Sequence, residues 1–342
     1  MAAVSTHGAE APIPIKVVVV TTFEEDYQNP AATGESPGEA ARWIHGYRLD
    51  RIVPVPAGFR PARVNADGVM EYMTGMTTGK AAASTMALGL DPRFDLTHAY
   101  WIMAGIAGVD PMQAAQGSAV WTEWIVDGDI DCLIDPREIP PNWPDGHVPW
   151  NGSAPTDPPF IPKGQNVGQV YHLDRSLVNW AYGLTSGVKL VQTDAERKFA
   201  GKFPGFAGVQ KGPRVLIGDN LSSATYWQGT LGTEWARRWV KLYTDGKGTF
   251  ATSSCEDSGF LQAITLLGKS GRIDPKRVLD LRTASDYTVP HPGMTSAQSL
   301  NYDGPNAAYM ADKEAFDSAY QVGRVVVDEL VRHWDKYRNS VP

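Results

Sequence analysis

The chain has 342 residues, of which 42% are hydrophobic and 20% charged, and a formal net charge of −7. That is enough apolar material for a sizeable core, in one elaborated domain or two small ones. The negative balance, with no basic stripe to neutralise phosphates, excludes a nucleic-acid-binding surface, and the longest apolar stretch, Ala99 to Val109, is far short of the roughly 20 residues of a membrane-spanning helix.

The first fourteen residues, rich in Ala, Pro and Ser/Thr and without an apolar h-region, read as a flexible leader or a trimmed mature start. Lys16 to Thr21 is a β-branched run that predicts a strand buried on both faces. Ser36 to Tyr47 predicts a helix with Pro37 in its first turn, Met70 to Met73 a strand, and Ala-rich Gly79 to Leu88 a helix. Tyr100 to Met103 reads as a strand running into a loop, Ala104 to Gly108. Val120 to Ile134 reads as one long or two short strands. Residues 135–165, crowded with Pro, Asp and Asn, form an extended surface insertion. A helix capped by Asp174 follows to Leu184. Strands are expected at Val215–Gly218, Phe250–Ser253 and Val278–Arg282, and helices at Thr233–Tyr243 and Glu256–Leu267. Asp312 to Tyr337, with Asp312 as its cap and Phe316, Tyr320, Val327, Leu330 and Trp334 on one stripe, is the clearest helix. Alternation of strands and helices predicts an α/β fold: one domain over 15–342, three layers α/β/α, with a mixed, mainly parallel central sheet.

Some patterns carry little. Cys132 and Cys255 read as two free buried thiols, with a single disulfide as the alternative, and no zinc spacing or paired histidine motif occurs, so no metal and no cofactor are expected. Gly75-Met-Thr-Thr-Gly-Lys80 resembles a phosphate-binding loop but is one residue short, and Ala81 stands where Ser or Thr would hold Mg²⁺. The tryptophans read as core and rim packing. Sequons at Asn151 and Asn220 would suit a secreted glycoprotein.

Cleaving a nucleoside C1′–N bond needs an acid for the leaving base, a grip on the ribose and a nucleophile on the opposite face. Val278-Leu-Asp-Leu-Arg-Thr-Ala-Ser-Asp286 resembles the strand-plus-Asp signature of the purine nucleoside phosphorylase and methylthioadenosine nucleosidase superfamily. The resemblance implies that Asp286 protonates the purine at its N7 edge. Ser254-Cys-Glu-Asp-Ser-Gly-Phe-Leu261 resembles the superfamily's Met-Glu segment, which implies Glu256 on the ribose hydroxyls and Cys255 in place of the Met packed beneath. Thr74 to Ala81 resembles the Gly-rich loop over the nucleophile site, with Thr77 and Thr78 as hydroxyl donors. Ala104 to Gly108 resembles another site loop, and Gly108 and Ser285 join the substrate-binding set. Leu216 to Leu221 resembles the strand and loop that covers the purine, which implies Asn220 and Leu221 on the base, with Tyr226 or Trp227 as lids.

Across roughly residues 15–335 the chain resembles the family named purine nucleoside permease, which shares the nucleoside phosphorylase-like fold. The first strand ends Thr22-Phe-Glu-Glu-Asp26 and lacks the phosphate-gripping Arg of phosphorylases. It is similar to the nucleosidases' Met-Glu-Glu-Glu, which implies Asp26, with Glu25 as the other choice, as the acid that activates water, and Arg282 as the residue that orients it. The resemblance thus implies a metal-free purine nucleosidase acting on inosine, adenosine or guanosine, in a homo-oligomer with a dimer favoured. A purine nucleoside phosphorylase and a nucleoside-binding protein serving uptake are the alternatives.

Overall fold

The β-branched run after Lys16 forms β1 (Val17–Thr21), in which every residue is buried. A strand with apolar side chains on both faces belongs at the centre of a sheet covered on both sides. It pairs in parallel with β4 (Val69–Met73) and β5 (Tyr100–Val109). Beyond β4 the short antiparallel strands β3 (Ala62–Val64) and β2 (Arg51–Val53) finish one edge. On the other side stand β6 (Ala119–Asp127), β7 (Val170–His172), β8 (Val215–Ser222), β9 (Phe250–Ser254) and β10 (Val278–Tyr287), and the order across the sheet is β7-β6-β8-β9-β5-β1-β4-β3-β2. The described residues of this computed structural model are 11–26, 29, 37–161, 168–300 and 311–342.

The tenth strand decides the shape. β10 runs parallel to β5 from Val278 beside Trp101 to Tyr287 beside Val109, and antiparallel to β6 at Leu281–Thr283. Because β6, β8, β9 and β5 are already joined edge to edge, β10 closes them into a ring while β1 to β4 remain an open wing. The long ladders, β10–β5, β8–β6 and β1–β4, are the parallel ones. The expected α/β class with a mixed, mainly parallel sheet is therefore present. Helices cover it: α6 (Asp312–Arg332) lies on β10 and β5, α3 (Arg175–Thr185) on β6 and α6, and α4 (Thr230–Tyr243) on β8 and β9, while α2 (Thr78–Leu90) and α5 (Asp257–Lys269) pack against each other. Asp174 caps α3 as expected, accepting from the Ser176 and Leu177 amides. Trp43, Trp101, Trp121 and Trp239 are fully buried core residues.

Several boundaries differ from the expectation, each for a non-local reason. The helix expected from Ser36 is α1 (Ala41–Tyr47). Pro37 to Glu39 instead lie against the chain leaving β1, through Glu25 N–Pro37 O (2.8 Å) and Glu39 N–Phe23 O (3.0 Å). Ala104–Gly108 is strand rather than loop, because β10 pairs along its whole length. β8 continues to Ser222 and β10 to Tyr287, past the expected ends at Gly218 and Arg282. Asp312 opens α6 without capping it, Ala311 being the cap residue, and the expected long helix breaks at His333 before a last turn, Trp334–Tyr337.

Of the expected leader, residues 1–10 lie outside the described residues, while Ile13–Pro14 pair in parallel with Phe94–Asp95. Within the expected insertion, His147–Pro149 pair with Asp131–Leu133, and residues 162–167 are again outside the description. Arg238 of α4 grips Asp145 (2.7 Å), and His147 stacks on Trp235 with centroids 4.1 Å apart. Cys132 and Cys255 are free thiols as read, but Cys132 is exposed and Cys255 only half-buried.

Candidate active site

β5, β9 and β10 end around a cavity of about 360 Å³, within the ~300–1,000 Å³ usual for small-molecule sites. Its walls include Ile106–Gly108 from β5, Ser253 and Ser254 from β9, and Ser285 and Asp286 from β10. Phe23, Met76 and Ile106 supply apolar surface. The polar surface is dominated by four carboxyls, Glu39, Glu256, Asp286 and Asp312, and no Lys or Arg occurs among the described lining residues.

Asp286 is 4% exposed. The strand extension that carries it sets it opposite Gly108, after a register shift between Ala284 and Asp286. Ser285 Oγ donates to Oδ1 (2.9 Å) and the Tyr226 hydroxyl to Oδ2 (2.9 Å). Burial raises its pKa, and those two hydrogen bonds offset part of the rise. A buried carboxyl whose pKa is raised is suited to hold a proton and deliver it to a partner in the cavity.

Glu256 precedes α5. Burial raises it to about 7, against the pull of Arg282. The Thr77 amide donates to Oε1 (3.2 Å) and Arg282 Nη2 to Oε2 (3.1 Å). Thr77 reaches it through a left-handed φ of 81°, an unusual conformation for a β-branched residue that costs on the order of 1–3 kcal/mol and survives only where the surroundings impose it. The imposing contact is the α2–α5 crossing: a Cβ on Gly259 would lie 2.0 Å from the Thr78 carbonyl oxygen, so glycine there lets α5 bring Glu256 up to the start of α2.

Arg282 lies beneath the cavity, fully buried. Its Nη2 meets Asp257 Oδ1 at 2.5 Å, and its Nη1 donates to the Ile106 carbonyl (3.0 Å). Burial works against its charge, but Asp257, Glu256 and Asp280 outweigh that and keep it protonated. Asn220 Nδ2 and Ser254 Oγ both hydrogen-bond Asp257 Oδ2. Arg282 is therefore a fixed positive floor shared among acids, and no charge is left over to bind an anion.

Glu39 is a further acid near Arg282. Its Oε2 accepts from the Thr22 amide (2.6 Å), the Thr22 hydroxyl (3.1 Å) and the Phe23 amide (3.1 Å), and its Oε1 from the Ile106 amide (2.7 Å). Burial raises its pKa, with Arg282 the main counterweight. A Cβ on Gly105 would lie 2.3 Å from Arg282 Nη1 and 2.8 Å from Glu39 Oε1, so both groups crowd over this one glycine. Asp312 lines the cavity from the start of α6, raised to about 6 by burial and by Asp286, Glu39, Glu25 and Glu314. Burial pushes the Cys255 thiol up to about 12, so it stays protonated.

The site thus gathers six expected residues: Asp286, Glu256, Cys255, Gly108 and Ser285, with Tyr226 as a lid. Thr77 takes part through its amide rather than its hydroxyl, and Arg282 acts from below. The others are elsewhere. Asp26 is exposed and accepts from Asn29 (2.9 Å), and Glu39 stands where an acid beside Arg282 was sought. Asn220 and Leu221 are fully buried, because β8 runs on through them, and Asn220 hydrogen-bonds Asp257 beneath the cavity. A fully buried Asn220 also cannot carry a glycan in the folded chain. Thr78 does not line the cavity, and Trp227 packs on Trp235 and Phe250. Glu39, Asp257 and Asp312 had no local signal. Among the described residues no cluster of three or more His, Cys, Asp or Glu is placed to hold a metal ion.

The family model described as purine nucleoside permease (NUP) matches residues 14–342. The chain is similar to a protein named purine nucleoside permease from Candida albicans, 29% identical over 308 residues that cover 87% of this chain and 73% of that one. It is also similar to a probable purine nucleoside permease from Schizosaccharomyces pombe, 26% identical over 274 residues, 78% of this chain and 76% of that one. Among solved structures it resembles the 5′-methylthioadenosine/S-adenosylhomocysteine nucleosidase from Neisseria meningitidis in complex with methylthio-immucillin-A, with a TM-score of 0.54, 15% identity, and 92% of this chain and 99% of that chain covered. It resembles the futalosine hydrolase of Helicobacter pylori equally, with a TM-score of 0.54, 12% identity, and 92% and 98% covered. At such identities the structures establish a shared fold, the nucleoside phosphorylase fold. No helix among the described residues is long and apolar enough to cross a membrane.

Proposed function

The chain belongs to the purine nucleoside permease family, and we propose that it is a purine nucleosidase, hydrolysing the N-glycosidic bond of purine ribonucleosides to free base and ribose. The observation that carries this reading is a cavity lined by Asp286, Glu256 and Glu39 with no cation among its described lining residues. As the C1′–N9 bond breaks, its electron pair goes to the purine, and Asp286 donates its proton to N7, so the base departs neutral. Such general-acid help contributes typically ~10²–10⁴-fold. Glu256, anchored by Arg282 and the Thr77 amide, accepts the 2′ and 3′ hydroxyls and stabilises the cationic sugar of the transition state. Water adds to C1′ from the face opposite the base and passes its proton to Glu39. Proton exchange with solvent then restores Asp286 as the acid and Glu39 as the base.

Phosphorolysis would need a dianion pocket, for which the arginine fork is best suited. Arg282 is engaged by Asp257 and Glu256, and carboxyls would repel phosphate. The deciding experiment is chromatography of an incubation with inosine, adenosine or guanosine, with and without phosphate. Free ribose at a phosphate-independent rate is expected. Ribose 1-phosphate formed in proportion to phosphate would make the protein a phosphorylase. The name that the relatives carry makes a third outcome concrete: nucleoside bound without product would make it a binding protein serving uptake.

A further inference from the structure

Asp312 has no part in the reaction just described, yet it faces the same cavity. Its Oδ1 is buried and has no hydrogen-bond partner among the described residues, an arrangement that favours a ligand able to supply the donor. The start of α6 is held in place from two sides. The Ala311 amide donates to the Ser285 carbonyl (2.8 Å), tying the start of α6 to the strand that carries Asp286. One helical turn on, Phe316 stacks on Phe23 of the cavity wall, with centroids 6.3 Å apart. Asp312 thus enters the cavity beside the strand that carries Asp286, whereas Glu256 enters it from the start of α5.

We propose that Asp312 is a specificity-determining residue that accepts a hydrogen bond from the 5′-hydroxyl of the nucleoside and so selects substrates with a free 5′-OH. This rests on the reading of Asp286 as the base-side acid and Glu256 as the diol contact. In a β-nucleoside the 5′-hydroxymethyl group lies on the same face of the ribose as the base, and the 2′,3′-diol on the opposite face. With the diol on Glu256 and the base on Asp286, the 5′-oxygen is directed to the wall formed by Phe23 and Asp312. A carboxylate there matches a hydroxyl donor, gains nothing from a 5′-deoxy or 5′-alkylthio carbon, and repels a 5′-phosphate. The site is thereby one for nucleosides rather than nucleotides.

The test compares adenosine, 5′-deoxyadenosine and adenosine 5′-monophosphate on the wild-type chain, Asp312→Asn and Asp312→Ala. In the wild type, kcat/KM should favour adenosine over 5′-deoxyadenosine by about tenfold to 100-fold, the range of a hydrogen bond to a charged acceptor, with the monophosphate poorer still. Asp312→Ala should bring adenosine down to the level of 5′-deoxyadenosine and leave the latter nearly unchanged. Asp312→Asn, which keeps the shape and one acceptor, should retain part of the preference and improve the monophosphate. Equal losses on adenosine and 5′-deoxyadenosine would make Asp312 structural and overturn the proposal. So would an unchanged 5′ preference with altered choice between 6-amino and 6-oxo purines, which would put Asp312 on the base. If no nucleoside is cleaved, the nucleosidase reading fails, and calorimetric titration with adenosine and 5′-deoxyadenosine reads the 5′-hydroxyl preference in binding instead.

Discussion

Two groups of carboxylates in this molecule have the same chemistry and opposite fates. Glu24, Glu25 and Asp26 are adjacent in the chain, and none of them faces the cavity. Glu24 is fully buried in an ion pair with Arg60, while Glu25 and Asp26 are exposed at the turn that follows. Glu39, Glu256, Asp286 and Asp312 are spread over most of the chain and line one space. The difference is geometric. Neighbouring residues leaving a strand project in different directions, so three acids in a row are divided among core, turn and solvent. Acids at the ends of different elements converge when those elements end together. Density of charge along the sequence is thus a poor guide to a site, and convergence of strand ends is a good one.

The comparison breaks most sharply at Asp286. Asp286→Asn should lower the cleavage rate of purine nucleosides by about 10²–10⁴-fold in a chain that stays folded. A nitrophenyl riboside, whose leaving group needs no proton, should lose much less, and steady-state assays on both substrates check this. Glu39→Gln comes next: about 10²-fold in kcat with little change in purine affinity, if Glu39 receives the proton of the attacking water. Should Asp26→Asn give that loss and Glu39→Gln none, the two groups would have to exchange roles. Within the first group, Glu24→Ala should act on stability alone. Removing one partner of a buried ion pair costs about 3–5 kcal/mol, read by denaturant titration, with any nucleosidase kcat of the folded chain unchanged. Asp26→Asn, at an exposed turn, should stay within about 0.5 kcal/mol.

Local pattern alone identified much of this protein. The unbroken apolar run of β1, the Asp174 cap of α3 and the apolar stripe of α6 are encoded within a few residues, because burial of a face repeats with the period of the element. The segments around Glu256 and Asp286 are legible by their resemblance to the superfamily's motifs, whereas the partners that hold the two carboxyls, Thr77 and Arg282 for Glu256 and Tyr226 for Asp286, lie far off in the chain. What the sequence could not decide was where a strand stops and which partner a buried polar group finds. Ala104–Gly108 and Ser285–Tyr287 look like loop until β5 and β10 pair with each other, and Asn220 looks like a ligand contact until β8 carries it down to Asp257. Glu39 and Asp312 lie in segments with no motif. Their place in the cavity comes from the Thr22, Phe23 and Ile106 donors in one case and from the docking of α6 on β10 in the other. Backbone pairing and charge compensation between distant residues are properties of the closed ring of strands, and no single segment contains them.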